Sequence, residues 1–111
     1  MNKKTFENFF FAIGDANRFS ILMRLSEKDL CVGEIVKLTA IEQSNVSHHL
    51  ACLSNGGLVS ARKDGKKRVY TIKKEAKPII RGIIRHIERF DSDIKSCDIA
   101  NKVHGRDNGE I

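Results

Sequence analysis

The sequence predicts a mainly α-helical fold with one small β-hairpin, in a chain of 111 residues. Over most of the chain, apolar residues recur three and four positions apart, which is the spacing of amphipathic helices. Residues 58–72 alternate instead with a period of two, and Asp64-Gly65 near their centre favours a tight hairpin turn. A chain of this length has room for one domain with a modest core.

The first three helices are predicted from short apolar stripes. Residues 4–13 form the first helix, which Gly14 ends, and Asp15 can cap the second helix. The apolar residues of the first helix are Phe6, Phe9, Phe10 and Ile13. Those of the second helix are Phe19, Leu22 and Met23, widened by Ile21 and Leu25. After a polar break over residues 26–29, a short third helix carries Val32, Ile35, Val36 and Leu38.

A fourth helix is predicted over residues 42–53, after a turn at residues 39–42 and before Asn55-Gly56-Gly57. Its apolar stripe consists of Val46, Leu50 and Leu53. The opposite face is short, polar and free of acidic side chains, and it consists of Ser44, Ser47, His48 and Ala51. Such a face can lie in the major groove of DNA and hydrogen-bond bases and phosphates. An ordinary amphipathic surface helix has the same pattern.

The hairpin is the most basic part of the chain. Five cations lie within seven residues and are opposed only by Asp64: Arg62, Lys63, Lys66, Lys67 and Arg68. The whole chain has 20 Lys and Arg against 14 Asp and Glu, a net charge of +6, which suits a polyanionic partner. A basic hairpin directly after a helix-turn-helix is a wing that can follow the DNA backbone. The predicted fold is therefore a winged helix-turn-helix.

A last helix is predicted over residues 76–90. Its isoleucines form a wide apolar face that indicates dimerisation, although packing on the chain's own core would give the same pattern. They are Ile79, Ile80, Ile83, Ile84 and Ile87. We expect a DNA-binding and dimerisation domain over residues 1–92 and a polar, partly disordered tail over residues 93–111, with disorder at residues 105–110.

Several classes of protein are disfavoured by what the sequence lacks. No apolar run approaches 18 residues, so no transmembrane helix is expected. The N-terminus is a poor signal peptide, and a cytoplasmic location is expected by default. Three widely spread cysteines, Cys31, Cys52 and Cys97, do not form a disulfide framework. Without a Gly-rich phosphate loop or a recognisable nucleophile, the chain is not expected to be an enzyme.

Five segments follow one another in a recognisable order. They are Ile13-Gly-Asp-Ala-Asn-Arg-Phe-Ser-Ile-Leu, Asp29-Leu-Cys-Val-Gly-Glu-Ile, Gln43-Ser-Asn-Val-Ser-His-His-Leu, Gly57-Leu-Val, and Lys63-Asp-Gly-Lys with Arg68-Val-Tyr. Together they resemble the ArsR/SmtB family of metal-responsive repressors over roughly residues 5–90. The resemblance implies a homodimer that binds operator DNA and releases it when an inducer binds. It also implies that bases or phosphates are contacted by Gln43, Ser44, Asn45, Ser47 and His48.

His49 falls next to the apolar stripe, so we expect it to be buried or half-buried instead of contacting DNA. The inducer is less well defined by the resemblance. Members that bind soft ions through a cysteine pair on the third helix resemble this chain at Cys31, but Gly33 replaces the second cysteine. A zinc site on the last helix would need an Asp-x-His that is absent here.

The nearest resemblance is to cadmium- and lead-responsive members, with Cys52 on the reading helix and Cys97 in the tail. Gly56, or Asn55 if the match is shifted by one residue, stands where their second cysteine would be. The resemblance therefore implies a soft metal or metalloid inducer (cadmium, lead, arsenite or zinc) held by Cys52 and Cys97, with Cys31 as a further candidate.

Other interpretations of the cysteines stay open. Cys31 and Cys52 are also explained as small core residues, whereas Cys97 lies in a polar stretch that offers no core. Two thiols from opposite chains could instead form a redox pair. The functional hypotheses are a soft-metal-responsive repressor, a thiol-redox-responsive repressor, and a winged-helix module that binds protein. The basic wing argues against the last of these.

Overall fold

The computed structural model describes residues 1–104, with the side chains of residues 1–102. The described part consists of seven helices and three strands. In chain order they are α1 (Lys3–Ile13), α2 (Ala16–Glu27), β1 (Leu30–Cys31), α3 (Val32–Thr39), α4 (Gln43–Asn55), β2 (Val59–Asp64), β3 (Lys67–Ile72), α5 (Lys77–Arg89), α6 (Asp91–Lys95) and α7 (Asp98–His104). The mainly helical fold with a hairpin wing is thus confirmed.

The three strands form one antiparallel sheet in the order β1-β3-β2. The hairpin pairs Val59 with Ile72 at its base and Asp64 with Lys67 at its tip. The two residues of β1 pair with the other edge of β3, Leu30 opposite Tyr70 and Cys31 opposite Val69. A strand of two residues has no periodicity to detect, so the sequence predicted only a polar break before α3.

Local capping explains where the first helices begin. The Asn2 side chain accepts a hydrogen bond from the Thr5 backbone N–H at 3.1 Å, and Asp15 accepts one from the Arg18 N–H at 3.0 Å. Each cap pairs a backbone N–H that would otherwise lack a partner in the first turn of its helix. The expected Asp15 cap is therefore confirmed.

The core consists of one apolar stripe from each of several elements. The expected stripe of α4, Val46, Leu50 and Leu53, is fully buried. The stripe predicted for α2 was partly wrong: Ile21, Leu22 and Leu25 form the core, whereas Met23 is 45% exposed. The remaining large, fully buried side chains are Leu30, Ile35, Leu58, Val59 and Ile80.

The chain divides into two compact units, the first formed by residues 1–81 and the second beginning at Gly82. In the first unit, α1 exposes Phe6, Phe10 and Phe11 by 44%, 61% and 68%. The second unit contains the rest of α5 together with α6 and α7. These two short helices were not predicted because their polar sequence carries no apolar stripe. The disorder expected at residues 105–110 lies outside the described residues.

Among residues 1–104, we find no helix that is both long enough and apolar enough to cross a membrane.

Two glycines differ in the backbone conformation that they support. Gly65, in the wing turn, has a φ of +65°, and a Cβ there would meet no atom within 4 Å. Gly82, inside α5, has equally open space but no positive φ. Gly65→Ala should therefore lower the free energy of unfolding by about 1 kcal/mol through strain. Gly82→Ala should raise it by about 1 kcal/mol through helix propensity. Urea denaturation measures both, and shifts of the same sign would contradict the turn geometry.

Candidate nucleic-acid interface

Helix α4 presents its predicted reading residues to solvent. All five side chains inferred to contact DNA are exposed: Gln43, Ser44, Asn45, Ser47 and His48. Because the apolar stripe on the other side of the helix is fully buried, this polar face is turned outward. Glu42 was predicted as the first residue of the helix but not as a DNA-contacting residue. It is the N-cap of α4, and its carboxylate accepts a hydrogen bond from the Ser44 hydroxyl at 2.8 Å. An acidic group thus stands at the entry of the helix.

The turn between α3 and α4 depends on a strained residue. Ala40 has a φ of +60°, and among the described residues it alone combines a side chain with a positive φ. Its backbone N–H donates to the Val36 carbonyl at 2.8 Å, which closes the end of α3. Thr39 supports the turn because its hydroxyl donates to the Ile35 carbonyl at 2.7 Å and accepts from the Ile41 N–H at 3.3 Å.

The wing carries a cluster of cations with little compensation. Lys63 lies directly opposite Arg68 across the hairpin, so two like charges share one face at a cost in stability. Asp64 lies opposite Lys67 at the tip, which balances that pair. All five wing cations named from the sequence are exposed. A face that keeps like charges opposite each other is suited to binding an anion.

Arg62 differs from the other wing cations because it is already paired. Its guanidinium donates to the Asp29 carboxylate at 2.9 Å, which joins the wing to the loop before β1. Hydrogen bonds from Arg62 and Thr71 hold the pKa of Asp29 below its usual value. Arg62 is therefore held in a salt bridge, which none of the other four wing cations forms within the described residues.

A buried arginine joins α1, α2 and α4. Arg18 is only 5% exposed, and its Nε donates to the Ala12 carbonyl at 2.8 Å. Its Nη2 donates to the Phe11 carbonyl at 2.9 Å, and Nη1 lies 3.3 Å from Nδ1 of His49 on α4. The guanidinium also lies 4.7 Å from the centre of the Phe11 ring. His49 is half-buried, as expected, but its arginine partner gave no signal in the sequence.

The three cysteines occupy different environments. Cys31 is half-buried at the N-cap of α3, where its backbone N–H donates to the Glu34 carboxylate at 2.9 Å. That bond holds the pKa of Glu34 below its usual value. Cys97 is exposed and belongs to the second unit. Cys52 is half-buried on α4 and lines a cavity of about 510 Å³ beside α1.

Helix α1 lies close to α4 around Cys52. Residues of α1 such as Phe9 and Ala12 form the other wall of its cavity. At Gly56, where the resemblance would place a second cysteine, a Cβ would approach the Ala12 Cβ to 3.3 Å. Within the described part of a single chain, no three His, Cys, Asp or Glu side chains form a group that could hold a metal ion.

The environment of His49 makes stability depend on pH. Burial lowers the pKa of His49 below its ordinary value, Arg18 and His48 lower it further, and Asp15 opposes them. The unfolded chain therefore binds this proton more readily. The free energy of unfolding should fall as the pH drops below about 6.5. His49→Gln should flatten this dependence between about pH 7 and pH 5 in urea titrations. His48→Gln, at an exposed position, should retain it, and an unchanged slope in His49→Gln would contradict the assignment.

Comparison with known proteins assigns this architecture to a family. The family model described as "Bacterial regulatory protein, arsR family", a helix-turn-helix model, matches residues 15–61, from the cap of α2 into the wing. The arsenical resistance operon repressor of Staphylococcus aureus is 28% identical over 105 residues, which cover 95% of this chain and 98% of that protein.

Two further similarities differ in coverage. A probable mercury resistance operon repressor of Streptomyces lividans is 40% identical over 68 residues, 61% of this chain, and the match spans about half (54%) of that relative. The crystal structure of Rv0081 from Mycobacterium tuberculosis superposes with a TM-score of 0.70 at 31% identity, covering 86% of this chain and 94% of that one. The chain therefore belongs to the ArsR family, whose members are DNA-binding transcription regulators of winged helix-turn-helix fold and not enzymes.

Proposed function

We propose that this protein is a homodimeric transcriptional repressor that releases its operator when a soft metal or metalloid ion binds its cysteine thiolates. The observation that carries the DNA-binding part is the exposed polar face of α4, followed in the chain by an exposed cationic wing. The repressor part is supported by the arsenical and mercury resistance repressors to which the chain is similar. The proposed place of action is the cytoplasm, where prokaryotic DNA lies.

Helix α4 and the wing would make different kinds of contact with DNA. Ser47 and His48, on the exposed face of α4, would hydrogen-bond base edges in the major groove, with Gln43, Ser44 and Asn45 on bases or phosphates. The wing cations would replace counterions along the phosphate backbone, which adds affinity without sequence preference. Arg62 would reach DNA only by exchanging its contact with Asp29 for one with a phosphate.

Exposed apolar side chains support the homodimer. Phe6, Phe10 and Phe11 of α1 are each more than two-fifths exposed, and α5 exposes Ile79 by 49% and Ile87 by 39%. Exposed apolar side chains, where they form contiguous patches, mark interaction surfaces. A second copy of the chain would cover them, and the two-fold symmetry would match a palindromic operator.

A thiolate site completed by two chains fits the cysteine environments. Soft ions such as cadmium, lead, arsenite or mercury prefer thiolate ligands, and each chain offers the half-buried Cys52 and the exposed Cys97. Because the described part of one chain contains no three-ligand group, we propose that Cys52 of one chain and Cys97 of its partner share the ion. A bond at Cys52 would act directly on α4.

The exposure of Cys97 also favours a second candidate function. An exposed thiol is open to oxidants, so Cys52 and Cys97 could form a redox pair between chains in place of a metal site. The same fold would then release DNA on oxidation.

Removing wing cations should change the salt dependence of DNA binding. In Lys63→Ala/Arg68→Ala, the plot of log affinity against log salt should become shallower by about 0.9 for each lost phosphate contact. The matched control, Lys3→Ala/Lys4→Ala, removes the same charge from α1 and should keep the wild-type slope. Fluorescence anisotropy measures the slope, and sedimentation of the complex should give two chains per duplex. A wild-type slope in the wing variant would mean that the wing does not contact the backbone.

Cysteine variants should separate the metal and redox hypotheses. Release of a fluorescent operator by cadmium, lead or arsenite should be lost in Cys52→Ser and in Cys97→Ser, because each removes one thiolate ligand. Cys31→Ser should keep most of the response. If Cys31→Ser abolishes metal-induced release and the other two variants retain it, the inducer site is at Cys31, at the start of α3. If no metal releases wild-type protein but peroxide does, the redox mechanism is correct.

A further inference from the structure

We propose that Arg18 is a positioning residue for DNA recognition, because its guanidinium fixes α4 to the C-terminal end of α1 through His49. The inference rests on the proposed DNA-reading function and concerns residues that do not themselves contact DNA. Among the described residues, Arg18 is the one charged residue that is buried. It belongs to neither of the two ion pairs found there. An arginine buried in this way needs a full set of acceptors.

Those acceptors come first from the end of α1. The last four carbonyls of a helix lack partners within the helix, and the helix dipole makes them partly negative. Helix α1 has no basic residue in its own last turn. Arg18 supplies that charge from α2, donating to the Phe11 carbonyl at 2.9 Å and to the Ala12 carbonyl at 2.8 Å. These two bonds hold the guanidinium plane in one orientation.

The third contact carries this orientation to α4. An arginine can only donate, so Nδ1 of His49 accepts from Nη1, and the ring proton is on Nε2. The buried apolar stripe sets which face of α4 is turned outward, but apolar burial has no directional preference, so it restrains small rotations and shifts only weakly. The hydrogen bond to Arg18 adds a directional restraint on those small movements.

The reading residues lie next to this contact. His48 and Ser47 directly precede His49 on α4, and both are exposed. Small rotations or shifts of α4 that keep its apolar stripe buried would still move these two side chains relative to DNA. Hydrogen bonds to base edges tolerate only a few tenths of an ångström. A loosened α4 would therefore lose base contacts while the phosphate contacts of the wing remain.

Phe11 also places this contact beside two other features of the first unit. Its carbonyl and ring hold Arg18, while the side chain remains 68% exposed among the α1 phenylalanines. Phe11 and Ala12 further line the cavity that contains Cys52. A change at the exposed phenylalanines of α1, or in the cavity beside Cys52, that moves Phe11 and Ala12 would therefore be transmitted to α4 through Arg18.

The test measures how well each variant distinguishes its best duplex from an unrelated one. Wild-type protein first selects a preferred duplex from a random library, and affinities for that duplex and an unrelated duplex are measured at one salt concentration. His49→Leu removes the acceptor at similar size and should lower the ratio of the two affinities about tenfold, with nonspecific affinity unchanged. His49→Gln, which restores an acceptor, should recover the ratio. Arg18→Lys keeps the positive charge but removes the planar guanidinium with its several N–H donors, so it should lower the ratio of the two affinities.

Controls separate positioning from stability. Ile80→Val shortens a core side chain far along the chain from Arg18 and should keep the wild-type ratio at a similarly reduced melting temperature. In NMR spectra, the Arg18 Nε–H signal should be protected from exchange in wild type, and the His49 ring should show an unprotonated Nδ1. A folded His49→Leu with the wild-type ratio overturns the inference alone. If wild type selects no duplex, the proposed function fails as well.

Discussion

The burial of one side of α4 is the constraint on which the rest of the structure depends. Val46, Leu50 and Leu53 are fully excluded from solvent, and their burial turns the opposite side of the helix outward. The polar face that we assign to DNA is therefore a consequence of core packing. Its chemistry is free to vary with the operator, because its side chains contribute little to the core.

The cations of the first unit likewise differ in whether they have a structural partner. Where a cation has a structural task, it is given partners: Arg18 has carbonyls and an imidazole, and Arg62 has a carboxylate. Lys63 and Arg68 face each other across the hairpin, an arrangement that an anion bound to the wing would stabilise. Under the proposed function, such a cation is more readily available to DNA than one that already has a structural partner.

Local signals predicted most of this fold, because they depend on near neighbours in the chain. The Asp15 cap, the α4 stripe and the Asp64-Gly65 turn were all readable in that way. Features that depend on distant residues were missed. Strand β1 exists only because β3 offers it an edge. The acceptors of Arg18 lie on α1 and α4, 6, 7 and 31 residues away, and no spacing rule connects them. The helices α6 and α7 lack the apolar pattern on which helix prediction relies.

The cysteines show why the inducer site is harder to derive than the DNA surface. A DNA-reading face needs only one chain, whereas a soft ion needs two or three thiolates at bonding distance. Helix α4 contains one cysteine, Cys52, which lies next to a cavity beside α1. In the proposed site, the other ligands come from the partner chain. In such an arrangement, metal affinity includes the free energy of bringing two chains together, so ion binding and dimer geometry are thermodynamically linked. The ion can drive release only to the extent that it prefers the dimer geometry that does not fit DNA.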